Sequence, residues 1–162
     1  QRDYAEYAQD IASAGRHLLG VVGDLVDLQA IERDDFRPEA EAVDLGEVGR
    51  RAAALLKGKA AQHRVAIDAP GLNDHWIARG DSGRVVQILV NLIGNALRHS
   101  AEGAVVRVRG DIQGGRASIT VADQGPGIHP ADHERIFEKF TRLGVQDGTG
   151  SGLGLYIARR LA

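Results

Sequence analysis

Apolar residues recur at helical spacing between positions 81 and 100, at Val85, Ile88, Leu89, Leu92, Ile93 and Ala96. One face of a helix is therefore expected to dock on a core. On the same helix Asn91 and Asn95 lie one turn apart and project from one face, and Arg98 and His99 extend that polar edge. Asparagine competes with the backbone for hydrogen bonds, so a stacked pair inside a good helix calls for a reason. It either cross-links neighbouring loops or forms a binding edge. A second strong pattern spans residues 3–32. There Tyr4, Tyr7, Ile11, Ala14, Leu18, Val21, Leu25 and Leu28 alternate spacings of three and four, the seam of a helical bundle. Leu19, Val22 and Val26 widen the stripe, which suits a four-helix bundle. A lone helix cannot bury such a face, so its partners come from outside this chain or from a second copy. His17 stands beside the seam between Arg16 and Leu18. With no adjacent acid to serve as general base, it reads as a packing or surface histidine rather than a phosphate acceptor.

Between these helices, residues 33–43, with Pro38 and several acids, form a polar joint. Asp44 is the expected N-cap, with Glu47 three residues on, for a helix to about residue 62 whose apolar face is Leu45, Val48, Ala52, Leu55 and Leu56. Short strands are expected at 65–67 and 76–78, and Asp81 or Ser82 caps the central helix. Strands at 105–109 and 117–121 alternate apolar and polar residues, joined by a hairpin turn at Gln113-Gly114-Gly115. The second strand runs into DQGPGI, residues 123–128. An acid at a strand end followed by glycines suits a ligand site, although a plain connecting turn has the same composition. A short helix is expected over 130–140 with Ile136, Phe137 and Phe140 inward. The glycine-rich stretch 141–154 is expected to order around a ligand and to lead into a helix from near Gly152 through Leu155, Ile157, Ala158 and Leu161.

Composition narrows the function classes. The chain has 162 residues, 43% hydrophobic and 26% charged, with net charge -2. This is ordinary globular composition with no basic footprint for nucleic acid. No apolar run approaches the roughly 18 residues that span a membrane. Cysteine is absent, which excludes disulfides and thiolate metal sites. The chain reads as a piece of a longer protein, starting without methionine and stopping inside a helical pattern. A glycine-rich loop entering a helix N-terminus favours phosphate. Yet no lysine follows the glycines as in a Walker A loop, and no strand precedes Gly148, Gly150, Gly152 and Gly154 in the register of a dinucleotide fingerprint.

Taken together, NLIGNALRHS, DQGPGI, RIFEKF and GTGSGLGL resemble, in order and separation, the N, G1, F and G2 boxes of sensor histidine kinases of two-component systems. The resemblance covers nearly the whole chain. Residues 1–33 are similar to the second helix of the dimerisation and phosphotransfer bundle, 34–43 to a linker, and 44–162 to the catalytic ATP-binding domain, apparently truncated at its end. It implies an α/β (α+β) two-layer sandwich, a mixed β-sheet covered by helices on one face, with the long bundle helix protruding. It implies ATP and Mg2+ as cofactors, with Asn95 as the magnesium ligand and Asn91, Asn95 and Arg98 as catalytic residues. The implied nucleotide-binding set is Asn91, Asn95, Arg98, His99, Asp123, Gly125, Gly127, Ile128, Phe140, Thr149, Gly150, Ser151, Gly152, Leu153 and Gly154. Within it Asp123 accepts from the adenine amine, and Phe137 and Phe140 anchor a lid. Arg98 stands where lysine is frequent in the family, and His99 where an aromatic ring is. In hydrolytic relatives a glutamate stands in place of Asn91 and activates water. An amide cannot, so the resemblance points to γ-phosphoryl transfer to histidine.

Two departures qualify the resemblance. The family's acceptor histidine, on the first bundle helix and followed by an acid, has no counterpart. His17, His63, His75, His99 and His129 precede non-acidic residues, and His133-Glu134 falls outside any bundle. The final strand beyond the G2 helix is also missing. The implied partners are a second copy through the bundle and a response-regulator receiver domain, with no nucleic acid and no direct membrane contact. The implied location is cytoplasmic, even for a membrane-anchored parent. Two other readings stand beside this one: a degenerate kinase serving as a nucleotide-sensing scaffold, and an anti-sigma-factor-type serine kinase.

Overall fold

The computed structural model describes residues 2–33, 39–73, 75–143 and 150–162. Helix α1, Arg2–Ile31, carries the heptad seam. Tyr4 is 83% exposed, and Tyr7, Ile11, Leu18 and Leu19 are likewise in solvent. Only the last turns are covered, where Leu28 and Ile31 pack on Leu153 and Ile157. The seam is unpartnered along most of its length, as expected of a face one helix cannot bury.

The α/β body starts earlier than 44. Within the supposed polar joint, Glu41–Asp44 forms strand β1, antiparallel to β3, Ile77–Gly80, with Val43 opposite Ala78. Val43 is the only apolar anchor in that strand besides Ala42, too short a signal to read against five acids. Asp44 caps helix α2, Leu45–Leu55, accepting from the backbone N–H of Gly46 at 2.9 Å and of Glu47 at 3.2 Å. The expected continuous helix breaks at Leu56, and α3, Lys57–His63, ends in Arg64 at φ 52°. Leu55 is 64% exposed, contrary to its assignment to the apolar face. Val48, Ala52 and Leu56 stack at intervals of four, and Leu55 stands about 100° around the axis from Leu56.

Strand β2, Ala66–Asp68, pairs parallel with β4, Val105–Gln113, which pairs antiparallel with β5, Arg116–Ala122. The expected mixed sheet is therefore three-stranded, ordered β2-β4-β5, beside a separate two-stranded ladder of β1 and β3. The hairpin turn is Gly114-Gly115 alone, at φ 57° and 77°, a conformation that a Cβ disfavours. Gly110 in β4 has a different reason. A Cβ there would lie 1.2 Å from a ring carbon of Trp76, so the indole occupies the space a side chain would need.

Helix α4, Ser82–His99, is capped by Asp81, which accepts from Arg84 N–H at 3.0 Å. Its Leu89, Ile93, Ala96 and Leu97 lie on Val106 and Val108 of β4 and on Val48, Ala52 and Leu56 of the first helices. Helix α5, Gly154–Leu161, lies beside α4 and buries Ile157 and Ala158. The segment expected as a helix over 130–140 is instead two 3-10 turns, Pro130–Asp132 and Arg135–Phe137. Ile136 and Phe137 are half-buried as expected, but Phe140 is 61% exposed at φ 61°. No helix among the described residues is long and apolar enough to cross a membrane.

Candidate nucleotide-binding site

The face of α4 opposite its buried stripe carries Arg84, Gln87, Asn91, Asn95 and Arg98 at spacings of three and four. They form one polar ridge because such positions lie one above another on a helix. Asn95 Oδ1 accepts from Arg98 Nη2 at 2.8 Å. The C-terminal part of the glycine-rich stretch, residues 150–154, lies on this ridge. Gly154, at the start of α5, meets Asn91, whose carboxamide would lie 3.6 Å from a Cβ placed there. Gly150, at φ 101°, lies against Arg98, and a Cβ would fall 2.0 Å from Nη1. A side chain at 150 would displace the guanidinium from Asn95.

The loop's base is equally tight. At Gly152, φ 73°, a Cβ would stand 2.8 Å from the carbonyl carbon of Phe140. Backbone therefore meets backbone where the loop leaves and returns, which explains both the glycine and the left-handed Phe140. Thr149 lies outside the described residues, as do the other residues of 144–149.

Beside the last turn of α4, next to Arg98, β5 delivers Asp123, whose Oδ1 accepts from Gly125 N–H at 2.8 Å. Gly125 rests on the last turn of α4, where a Cβ would lie 2.8 Å from the carbonyl oxygen of His99. Gln124 Oε1 accepts from Val105 N–H at 2.8 Å and pins the turn to the start of β4. Gly127, at φ 75°, has open space around it, and Ile128 is exposed. Nearby, the hydroxyl of Ser100 is buried with no hydrogen-bond partner, which costs about 1–3 kcal/mol unless a bound group or water supplies one.

Two residues of the expected set point elsewhere. Leu153 is fully buried against Leu28, Ile31 and Ile157, so its side chain is core and cannot face a ligand. Ser151 accepts from Leu153 N–H at 3.1 Å and donates to the Asp24 carboxylate of α1. Sequence reasoning missed this second attachment of α1. Alongside it Gln87 donates to Asp27, and Glu32 pairs with Lys139 and accepts from Tyr156 at 3.2 Å. Gln87 and Arg84 were detectable as the upstream extension of the asparagine ridge. Their acidic partners, some sixty residues distant, were not. Burial pushes the Asp27 carboxyl up, and neighbouring Asp24 adds to this against the pull of Arg84 and the Gln87 hydrogen bond. Glu32 is held low by the hydrogen bond from Lys139, whose ammonium is raised in return.

The donor set fits a magnesium nucleotide. Amide oxygens and a guanidinium line the ridge, glycine backbone meets it, and beside its last turn stand a carboxylate with one oxygen spoken for and an unpartnered hydroxyl. Among the described residues there is no cluster of three or more His, Asp or Glu side chains able to hold a metal by themselves. A cation here would depend on the amide and on the nucleotide's own oxygens.

Residues 80–162 match the model of the histidine kinase-, DNA gyrase B- and HSP90-like ATPases. The chain is 33% identical to the histidine protein kinase DivJ of Caulobacter vibrioides over 98% of its own length and 27% of that protein's. It is 30% identical to the sensor-like histidine kinase SenX3 of Mycolicibacterium smegmatis over 96% of its length and 41% of that protein's. It thus spans less than half of either relative. Among solved structures it is similar to full-length ShkA in complex with AMPPNP, with TM-score 0.79 and 32% identity over 97% of this chain and 33% of that one. It is also similar to the mycobacterial sensor histidine kinase MprB, with TM-score 0.66 and 32% identity over 75% of this chain and 77% of that one.

Proposed function

The chain belongs to the histidine kinase-, DNA gyrase B- and HSP90-like ATPase family, and on that premise we propose that it is the ATP-binding catalytic core of a sensor histidine kinase. Residues 1–33 would be the second helix of the dimerisation and phosphotransfer bundle, 34–40 a joint, and the remainder, from strand β1 on, the nucleotide-binding unit. The carrying observation is the ridge of Asn91, Asn95 and Arg98 met by Gly150 and Gly154, with the Asp123 turn resting on His99 in the last turn of the same helix.

In this reading Asp123 keeps one oxygen on Gly125 N–H and offers the other to the exocyclic amine of adenine. Guanine presents a carbonyl at that position, and two acceptors repel, so ATP is selected. His99 flanks the base, and Gly125 and Gly127 let the backbone come close to it. Arg98 turns its guanidinium to the phosphates from its place between Asn95 and Gly150. When bound, magnesium neutralises charge on the triphosphate, and the Asn95 amide oxygen is the ligand this chain offers it. Asn91 cannot deprotonate water, which favours transfer over hydrolysis. A histidine nitrogen from a bundle helix outside this chain attacks the γ-phosphorus. The bond to the β–γ bridging oxygen breaks, ADP leaves, and the imidazole proton passes to solvent. The chain's contribution is positioning and charge neutralisation. A second copy meets the exposed α1 seam, the phosphoryl group passes on to a response-regulator receiver domain, and the supply of ATP puts this unit in the cytoplasm.

Calorimetric titration with a non-hydrolysable ATP analogue, with and without magnesium, tests the site. Magnesium-dependent binding is expected, weakened about tenfold or more by Asn95→Ala and by Asp123→Ala, the loss of one charge-assisted contact each. A folded wild-type chain that binds nothing would overturn the reading. Binding without transfer to any supplied acceptor helix would turn it to the scaffold alternative.

A further inference from the structure

Lys59 lies on α3, which runs beside α4 and reaches it at Gly94. A Cβ placed on Gly94 would stand 3.6 Å from Lys59 Nζ, so the ammonium rests against the bare backbone of α4. Any side chain longer than alanine at 94 would contest that place. Position 94 is three residues after Asn91 and four before Arg98, the intervals at which neighbours on a helix face lie about 5–6 Å apart. The ammonium is thus carried to the edge of the Asn91–Asn95–Arg98 ridge from α3.

Lys59 is exposed as a residue, while its ammonium end lies against α4. Burial holds the Lys59 ammonium below its ordinary value, and the Arg98 charge adds to the effect. Among the described residues no acid pairs with Lys59. Two cations gathered at one polar ridge, with no carboxylate bound to one of them, leave room for an anion that touches both. A compact ammonium on a flexible stem suits a terminal phosphate, while the flat guanidinium of Arg98 suits a bidentate hold.

We propose that Lys59 is a phosphate-binding residue that reaches across Gly94 to hold, together with Arg98, the terminal phosphates of the nucleotide. This rests on the nucleotide-site reading above and adds to it a contact from a helix outside the four motifs.

The chain holds just three lysines, Lys57, Lys59 and Lys139, which makes a direct test possible. Acetylation by a water-soluble N-hydroxysuccinimide ester at pH 8, read by peptide mass spectrometry, should modify Lys59 fastest and the Glu32-paired Lys139 slowest. Magnesium ATP or inorganic tripolyphosphate should slow acetylation of Lys59 several-fold, while adenosine leaves it unchanged and Lys57 reacts alike in all three. In calorimetry Lys59→Gln should weaken ATP about tenfold and leave adenosine unaffected, with Lys59→Arg recovering most of the loss. If wild type binds ATP yet Lys59 is unprotected and Lys59→Gln binds as wild type does, the proposal is overturned while the nucleotide site stands. If wild type binds no nucleotide, that reading falls, and tripolyphosphate protection alone decides whether Lys59 is a phosphate contact.

Discussion

At the Asp123 turn the contacts run to the backbone of the core elements, for Gly125 lies on the carbonyl of His99 and the Gln124 side chain is tied to the N–H of Val105. At the Asn91 end the contacts are between side chains and a loop: Arg98 with Asn95 and Gly150, Ser151 with Asp24 of α1. The first arrangement depends on elements that the core already holds, so it is preformed. The second depends on a helix whose remaining length is exposed and on a loop whose ends touch at Phe140 and Gly152. Movement of α1 would therefore reach Ser151 and the ridge before the Asp123 turn, because among the described residues the former are bonded to it.

The largest effect should come from breaking the backbone contact. Gly125→Ala puts a methyl 2.8 Å from the His99 oxygen and should cost about 1–3 kcal/mol of stability by overpacking. It should weaken adenosine and ATP alike, since the base end is shared. Thermal melting together with titrations of both ligands checks this, and an unchanged adenosine affinity would refute the idea of a preformed base end.

An effect no larger, but confined to the other contact, is expected from Ser151→Ala. It removes the bond to Asp24 and the acceptor for Leu153 N–H, a loss of about 0.5–1.5 kcal/mol per hydrogen bond. Faster amide exchange should appear in residues 24–31 and 153–157 and be absent at 123–125. Equal exchange in both places would mean the two ends are not independent.

The smallest effect separates two acids on α1 by pH. Asp27 has a raised carboxyl pKa when folded, so its ionisation opposes docking, and the penalty grows as pH rises above the ordinary carboxylate value toward neutrality. Glu32 is lowered, so its contribution is present above its ordinary value and lost as pH falls through the lower folded one. Asp27→Asn, whose amide oxygen can still accept from Gln87, should tighten the α1 contact near pH 7 by less than about 0.5 kcal/mol after solvent screening. It should make no difference near pH 3. Exchange protection of residues 28–31 across that range reads the change, and a tighter contact at pH 3 instead would reverse the sign argued here.

Much of the local structure was legible in the residues. Asp44 and Asp81 cap their helices because a carboxylate reaches N–H groups two or three residues away. Gly114-Gly115 turns the hairpin because its φ values are written in its composition, and the asparagine ridge follows from a period of 3.6. Misreadings came where a longer-range partner decided. Phe140 looked like an inward anchor, but its backbone is what matters, against Gly152. Leu153 stands in the glycine-rich loop, and only the fold shows that the apolar end of α1 takes its side chain as core. Strand β1 could not be read from Glu41–Asp44 because its pairing partner, β3, lies more than thirty residues away.

The residues alone were enough to give the long helix α1, the central helix α4 and the hairpin, to place stacked amides and a cation on one helix face, and to make the seam of α1 wider than one helix can bury. All of these rest on interactions within a few residues, where spacing alone sets the geometry. Only the tertiary structure decided what those surfaces meet: the loop glycines on Asn91 and Arg98, the acids of α1 on Gln87 and Ser151, and Lys59 beside Gly94. Such pairings depend on how elements distant in sequence are stacked on a shared core, and no local periodicity encodes that placement.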